Sequence, residues 1–272
     1  MRNPQYVDLG PPHLNMHSGD CIDILPQLDR NFPLIFADPP FNYQQDYDVC
    51  EDSWDSMEEY EDWTYRWLTA AASRLTYAGS MWINVPDEIV AFVDRFCTNI
   101  LGLTRVNWCQ WHYRFGQCTR GRFIRSKVHA LWYTNDDNKC TWNPNAILVP
   151  SDRASKYGDS RTEDSKTPGV RVPLDVWGIP SDGSYWGRVQ GNNKERCPNH
   201  PNQLPEKYLE RVIRACSNEG DWILDPFAGS NTTGTVARAL DRNFAGIELS
   251  PTYAESGFKR ALKGAVRVGE QT

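Results

Sequence analysis

Between residues 221 and 263 the chain reads as strand, helix, strand, helix, with short connections. Residues 221–224 and 244–249 are short apolar runs, and residues 235–240 and 251–263 place apolar side chains at helical spacing. A strand that returns to its sheet through a helix lies parallel to its predecessor, so this stretch commits the chain to an α/β architecture. The N-terminal half follows the same alternation. Residues 33–37 are an apolar strand, and 57–77 a helix carrying Tyr60, Trp63, Trp67, Leu68, Ala71 and Leu75, with Gly79 as its stop. Residues 80–85 read as a strand, 87–101 as a helix ended by Gly102, and 106–113 and 128–134 as strands rich in β-branched and aromatic residues. From about 135 to 202 periodicity gives way to Gly, Pro, Asn, Asp and Ser, with islands at 146–149 and 176–179; a helix at 204–215 restores order. A parallel-rich sheet with a loop-rich insertion is expected.

No apolar run approaches the roughly 18 residues of a membrane span, and the opening MRNPQYVDLGPPH has no apolar leader, so a cytoplasmic location is expected. The eight cysteines (21, 50, 97, 109, 118, 140, 197, 216) are then expected as free thiols. A net charge of −6 argues mildly against a nucleic-acid partner, but the charge is uneven. Residues 51–62 (EDSWDSMEEYED) hold acids and no base, whereas 95–135 hold Arg95, Arg105, Arg114, Arg120, Arg122, Arg125 and Lys127 and no acid. Such a basic stretch guides a polyanion, pairs with the acidic segment, or is a solvated face.

Three constellations carry chemistry. Asp38-Pro39-Pro40-Phe41-Asn42 closes an apolar strand, where functional loops of α/β sheets lie. A carboxylate and a proline-fixed carbonyl together accept both hydrogens of an amino group, and the adjacent ring stacks on the base bearing it; a bare Asp-Pro-Pro is also a simple turn. Asp225–Gly234 (DPFAGSNTTG) joins a strand to a helix with small residues that admit close backbone approach. It is not a phosphate-binding Walker loop, because Thr235 stands where Lys is required. Glu248 ends the next strand, placed for ribose hydroxyls. Together the last two indicate an adenosine-containing cofactor.

DPPF, DPFAGSNTTG and GIEL, in this order, resemble the motifs of S-adenosylmethionine-dependent amino-group DNA methyltransferases of the β class. Ser18-Gly19-Asp20-Cys21, the segment 108–116, Asp175-Val-Trp177-Gly-Ile-Pro180 and His200-Pro-Asn-Gln-Leu-Pro-Glu206 resemble further family elements. The resemblance covers about residues 14–262 and implies a Rossmann-like methyltransferase sheet. It divides the chain into a catalytic half at 1–134, a target-recognition insertion at 135–199 and a cofactor-binding half at 200–272. It implies that Asp38 and Pro39 accept the target amine's hydrogens, with Pro40 and Phe41 completing the catalytic set and Phe41 stacking on a base flipped from double-stranded DNA. The cofactor residues would be Asp20, Cys21, His200, Gln203, Asp225, Phe227, Gly229, Ser230, Asn231, Thr232, Glu248 and Leu249. DNA would meet Asn42, Arg114, Arg120, Arg122, Arg125 and Lys127. No metal is implied, since Cys197-x-x-His200 is only half a zinc site. The family's FAGSGTT is FAGSNTT here; Asn tolerates left-handed backbone, so cofactor binding is expected to survive Asn231. N6 of adenine is favoured over N4 of cytosine by Asp before Pro-Pro. A protein or small-molecule methyltransferase, with the reverse motif order and NPPY, and an inactive DNA-binding relic are the rival readings. A homodimer is expected; the aromatics of the 57–77 helix offer one surface for it, against the plainer reading that the sheet buries most of them and the rest are scattered on the surface.

Overall fold

The computed structural model describes residues 5–6, 10–49, 51–114, 116, 120–178, 186–197 and 200–269. The elements in chain order are β1 (Gln5–Tyr6), β2 (Leu14–Ser18), α1 (Cys21–Ile24), β3 (Phe32–Ala37), α2 (Met57–Ala72), β4 (Leu75–Val85), α3 (Val90–Arg95), β5 (Thr104–His112) and β6 (Lys127–Thr134). Then follow β7 (Val149–Pro150), α4 (Asp152–Ser155), β8 (Val170–Arg171), β9 (Val176–Trp177), α5 (Glu206–Cys216), β10 (Trp222–Asp225), α6 (Thr232–Ala239), β11 (Asn243–Glu248) and α7 (Pro251–Lys263). Among the described residues nine strands form one sheet, ordered β1-β2-β11-β10-β3-β4-β6-β5-β9, and β7 pairs with β8 apart from it.

Five neighbouring strands, β2, β11, β10, β3 and β4, run parallel, as the strand–helix alternation requires. Their side chains alternate between faces with period two. Leu34 and Phe36 point to the layer of α5, α6 and α7, with Tyr208, Val212, Val236 and Phe258. Ile35 and Ala37 point to the layer of α1, α2 and α3, with Tyr60, Trp67, Leu68 and Val93. Helices on both faces explain why these strands read as continuous apolar runs. The N- and C-terminal halves interleave in this sheet, since β10 lies between β11 and β3.

Two local expectations are corrected. The 57–77 helix ends at Ala72, and Leu75 already opens β4, opposite Phe32. Leu75 keeps helical spacing with Ala71 because both face the same core layer, a pattern that does not separate the two elements. Gly79 is therefore no helix stop but lies in β4, in an irregular stretch where a Cβ would sit 2.8 Å from Leu75 Cδ1. The 87–101 helix begins only at Val90 and widens into a π-helical turn, Phe96–Ile100. Six cysteines are free thiols, and Cys50 and Cys118 lie outside the described residues. Among the described residues no helix is long and apolar enough to cross a membrane.

Candidate functional site

Strand order assembles the site. β2, β11, β10 and β3 are adjacent and parallel, so their carboxyl ends lie along one edge, and there stand Asp20, Glu248, Asp225 and Asp38. At about 4.8 Å per strand this row spans roughly 15 Å. It forms one side of a cavity of about 620 Å³, within the roughly 300–1,000 Å³ of small-molecule sites.

Asp38 is half-buried at the end of β3 and accepts a hydrogen bond from Asn84 Nδ2 at 3.0 Å. Tyr208, on α5, donates its hydroxyl to Asn84 Oδ1 at 2.6 Å, so the amide orientation and hence the carboxylate are held from the opposite layer. Burial pushes the Asp38 carboxyl up to about 6, against the Asn84 hydrogen bond, which lowers it. The Pro40 carbonyl accepts from Tyr60 of α2 at 2.8 Å, which leaves that of Pro39 as the candidate acceptor for a ligand. Asp52 is buried and holds the following turn, its two oxygens accepting from the Phe41 and Tyr43 amides at 3.1 and 3.2 Å. Asn42 turns its Oδ1 to the Trp54 amide at 3.2 Å; its side chain braces the loop and does not face the cavity.

The loop at 225–234 is built around internal acceptors. Asp225 takes the Phe227 amide at 2.9 Å and the Thr233 hydroxyl at 2.6 Å, and burial lifts its carboxyl to about 7, with Asp38 and Glu248 adding to the rise. Glu248 takes the Gly229 amide at 2.8 Å and the Ser250 amide at 2.9 Å, and burial raises it too. Gly229, at φ +49°, lies under the His200 ring, where a Cβ would come within 2.7 Å of Nε2; only glycine serves there. His200 is half-buried, its imidazole pushed down to about 4 by that burial, and its Nδ1 has no hydrogen-bond partner among the described residues. Asn231 adopts the left-handed conformation, φ 56°, ψ 43°, and caps α6 by accepting from Gly234. Its Nδ2 binds the Gly257 carbonyl at 3.1 Å, so the side chain faces α7 rather than the cavity. Arg260 of α7 supports this loop from below, donating to Thr232 Oγ1 at 2.7 Å and to the Ser230 carbonyl at 3.1 Å, with buried Glu206 as its counter-ion.

The cavity is bipolar. Its floor carries acids whose ionisation burial opposes, a setting relieved by a ligand with positive charge. Its mouth carries Arg122, Arg125, Lys127 and Arg188. Arg125 pairs with Glu88, and Lys127 with Asp87, neither of which belongs to the 51–62 acidic segment. Arg105 likewise pairs with Asp94.

Of the residues expected from sequence, Asp20, Cys21, Asp38, Pro39, Pro40, Phe41, His200, Gln203, Asp225, Phe227, Gly229, Ser230, Thr232, Glu248 and Leu249 line this cavity, as do Arg122, Arg125 and Lys127. Arg114 and Arg120 are exposed outside it. Asp20 also caps α1, accepting from the Ile22 amide at 2.8 Å. Ile179 and Pro180 of the DVWGIP stretch, and Phe115 of the 108–116 segment, lie outside the described residues. Sequence reading missed Asn84, Tyr208, Asp52, Tyr60 and Thr233. None sits in a motif of its own; Thr233 alone fell within a quoted one. Among the described residues no cluster of three or more His, Cys, Asp or Glu side chains could hold a metal ion.

A family model described as DNA methylase matches residues 32–259. The DNA adenine methyltransferase YhdJ of Escherichia coli K12 is 33% identical over 251 residues, covering 89% of this chain and 80% of that protein. The crystal structure of the M1.HpyAVI–SAM complex superposes with a TM-score of 0.59 at 20% identity, covering 91% of this chain and 99% of that one. The cytosine-N4-specific PvuII DNA methyltransferase gives a TM-score of 0.66 at 16% identity, covering 94% and 96%. At such identities the two structures speak for a shared fold.

Proposed function

The chain belongs to the DNA methylase family, and on that footing we propose that it methylates double-stranded DNA from S-adenosylmethionine, at the exocyclic N6 amine of adenine. The observation that carries this reading is Asp38, aimed by Asn84 at the cavity floor beside Phe41 and in one row with Asp225 and Glu248. S-adenosylmethionine suits the residues present: the floor offers buried carboxylates to its two positive charges, and Glu248 lies where ribose hydroxyls are bound. When bound, it supplies a methyl group on a positively charged sulfur.

The chain's own residues do the rest by positioning and electrostatics. Glu248 and Asp20 hold the nucleoside end, and Asp225, Gly229, Ser230 and Thr232 the methionine end. His200, Gln203, Cys21, Phe227 and Leu249 close the walls. Phe41 stacks on the flipped base. Asp38 and the Pro39 carbonyl accept the two amine hydrogens, which turns the nitrogen lone pair toward the methyl group. With the cofactor bound, the methyl group would pass to that nitrogen as its bond to sulfur breaks and the sulfur leaves as a neutral thioether, and Asp38 would take the proton that the amine then sheds. Asp before Pro-Pro and the adenine specificity named for YhdJ favour adenine over cytosine. Residues 135–199 read the target sequence, with residues 1–134 supplying the catalytic half and 200–272 the cofactor half. Arg114, Arg120, Arg122, Arg125 and Lys127 are the phosphate contacts of this reading, with Arg125 also beside Glu88 and Lys127 beside Asp87. The enzyme works in the cytoplasm. DNA incubated with enzyme and cofactor is expected to yield N6-methyladenine on nucleoside mass spectrometry. N4-methylcytosine alone would move the target to the cytosine amine, and no methylated base with varied DNAs would overturn the reading.

We also propose a homodimer, because a chain this short gains DNA footprint from a second copy. We do not place its contact on the aromatic helix face: Tyr60, Trp63 and Trp67 pack in the core, Tyr77 belongs to β4 and bonds Asp136, and Tyr65 is left among exposed Glu58, Glu59, Asp62 and Arg66. Sedimentation at micromolar concentration is expected to give twice the 31.2 kDa chain mass; a single species at the chain mass, with and without DNA, would exclude the dimer.

A further inference from the structure

Phe123 is 98% exposed, more than any other large apolar side chain among the described residues. It stands between β5 and β6 in the acid-free stretch, with exposed Arg120 and Arg122 before it and Arg125 after it. The loop is anchored at its base, where the Tyr113 amide donates to the Ser126 carbonyl at 2.8 Å. Gly116 packs so tightly on Arg125 that a Cβ would lie 1.9 Å from its carbonyl oxygen. Phe123 thus stands outward above a loop base closed by Tyr113 and Ser126, where it adds nothing to the protein's own core.

A chain of contacts ties Arg125, two residues beyond Phe123, to the base-binding ring. The Phe41 ring meets the Tyr43 ring edge-on, centroids 5.9 Å apart. Arg125 donates to the Tyr43 hydroxyl at 2.9 Å and stands 5.6 Å over that ring. Phe123 is two residues from Arg125, and Arg122 and Arg125 both line the mouth of the cavity. A base swung into that cavity leaves a gap in the duplex close to the mouth, with the orphaned partner base opposite. An apolar side chain flanked by cations suits such a gap: the ring replaces lost stacking while the arginines hold phosphates on either side.

We propose that Phe123 inserts into the duplex at the gap left by the flipped target base and so stabilises the flipped state. This rests on the DNA methyltransferase reading above. The test uses the full-length enzyme and a duplex containing the target that wild type methylates, mapped by sequencing. The target is either normally paired or opposite an abasic site. Phe123→Ala is expected to lower kcat/KM about tenfold to a hundredfold on the paired duplex. S-adenosylmethionine affinity should stay unchanged, and the abasic-opposed duplex should restore most of the rate, because unpairing no longer has to be driven. Phe123→Trp should keep most activity on both. With 2-aminopurine at the target position, wild type should raise fluorescence on binding and Phe123→Ala much less. Wild-type rates for Phe123→Ala on the paired duplex, or an equal loss on both duplexes, would overturn the wedge and leave the methyltransferase reading intact. A wild-type enzyme that methylates no DNA would remove that reading and this one with it.

Discussion

Asp38→Ala is expected to lower methyl transfer about a thousandfold, the scale of losing an acceptor aimed at developing charge, while S-adenosylmethionine binds nearly as in wild type. Asp38 stands at the β3 end of the carboxylate row and accepts its hydrogen bond from Asn84, which lies outside the 225–234 loop. The substitution removes a half-buried carboxylate and deprives the fully buried Asn84 Nδ2 of its acceptor, at a cost of about 1–3 kcal/mol, and circular dichroism checks that the variant keeps its fold. Calorimetric titration with the cofactor and a single-turnover methylation assay read the two quantities separately. Lost cofactor affinity with retained turnover would reverse the assignment. The same carboxyl sets an acid limb. Its acid form is a weaker acceptor and cannot take the amine's proton, and burial places its midpoint at about 6, so kcat/KM is expected to rise with pH through about 6 and level off above it. A profile flat down to the ordinary carboxylate range would show that ionised Asp38 is not required.

Glu248→Ala should do the opposite: cofactor affinity falls about a hundredfold, as loss of charge-assisted hydrogen bonds to the ribose implies, while turnover at saturating cofactor changes little. Part of this loss is indirect. The Glu248 carboxylate also holds the Gly229 and Ser250 amides, so the loop over which His200 closes loses one of its anchors. Glu248→Gln separates the contributions. Its amide keeps one acceptor oxygen but turns an N–H toward one of these backbone donors, and should bind the cofactor with intermediate affinity. Equilibrium titration of all three proteins checks the order; an Ala variant that binds as wild type does would place the ribose elsewhere.

Much of this protein was legible before any coordinate. Apolar runs ending at Asp38, Asp225 and Glu248 mark strand ends, because period-two burial and proline or glycine punctuation are local properties. That Asn231 tolerates a left-handed backbone was expected from the resemblance, which has glycine there, and from Asn chemistry; its amide turns to Gly257 and not to the cavity. The boundary between α2 and β4 was not legible, since Leu75 serves either pattern.

What the sequence by itself determined is therefore the set of elements, their parallel α/β character and the residues standing at strand ends, all written in spacings of a few positions. Tertiary structure alone decided the order β2-β11-β10-β3, which turns four carboxylates scattered from Asp20 to Glu248 into one row. It also decided that Asn84 and Tyr208, 124 positions apart, orient Asp38, and that Arg125 and Lys127 take Glu88 and Asp87 as partners rather than the acidic segment at 51–62. The reason is physical. A strand's register and neighbours depend on the packing of both helical layers against the whole sheet, and a local period records which face a side chain buries but not which strand lies beside it.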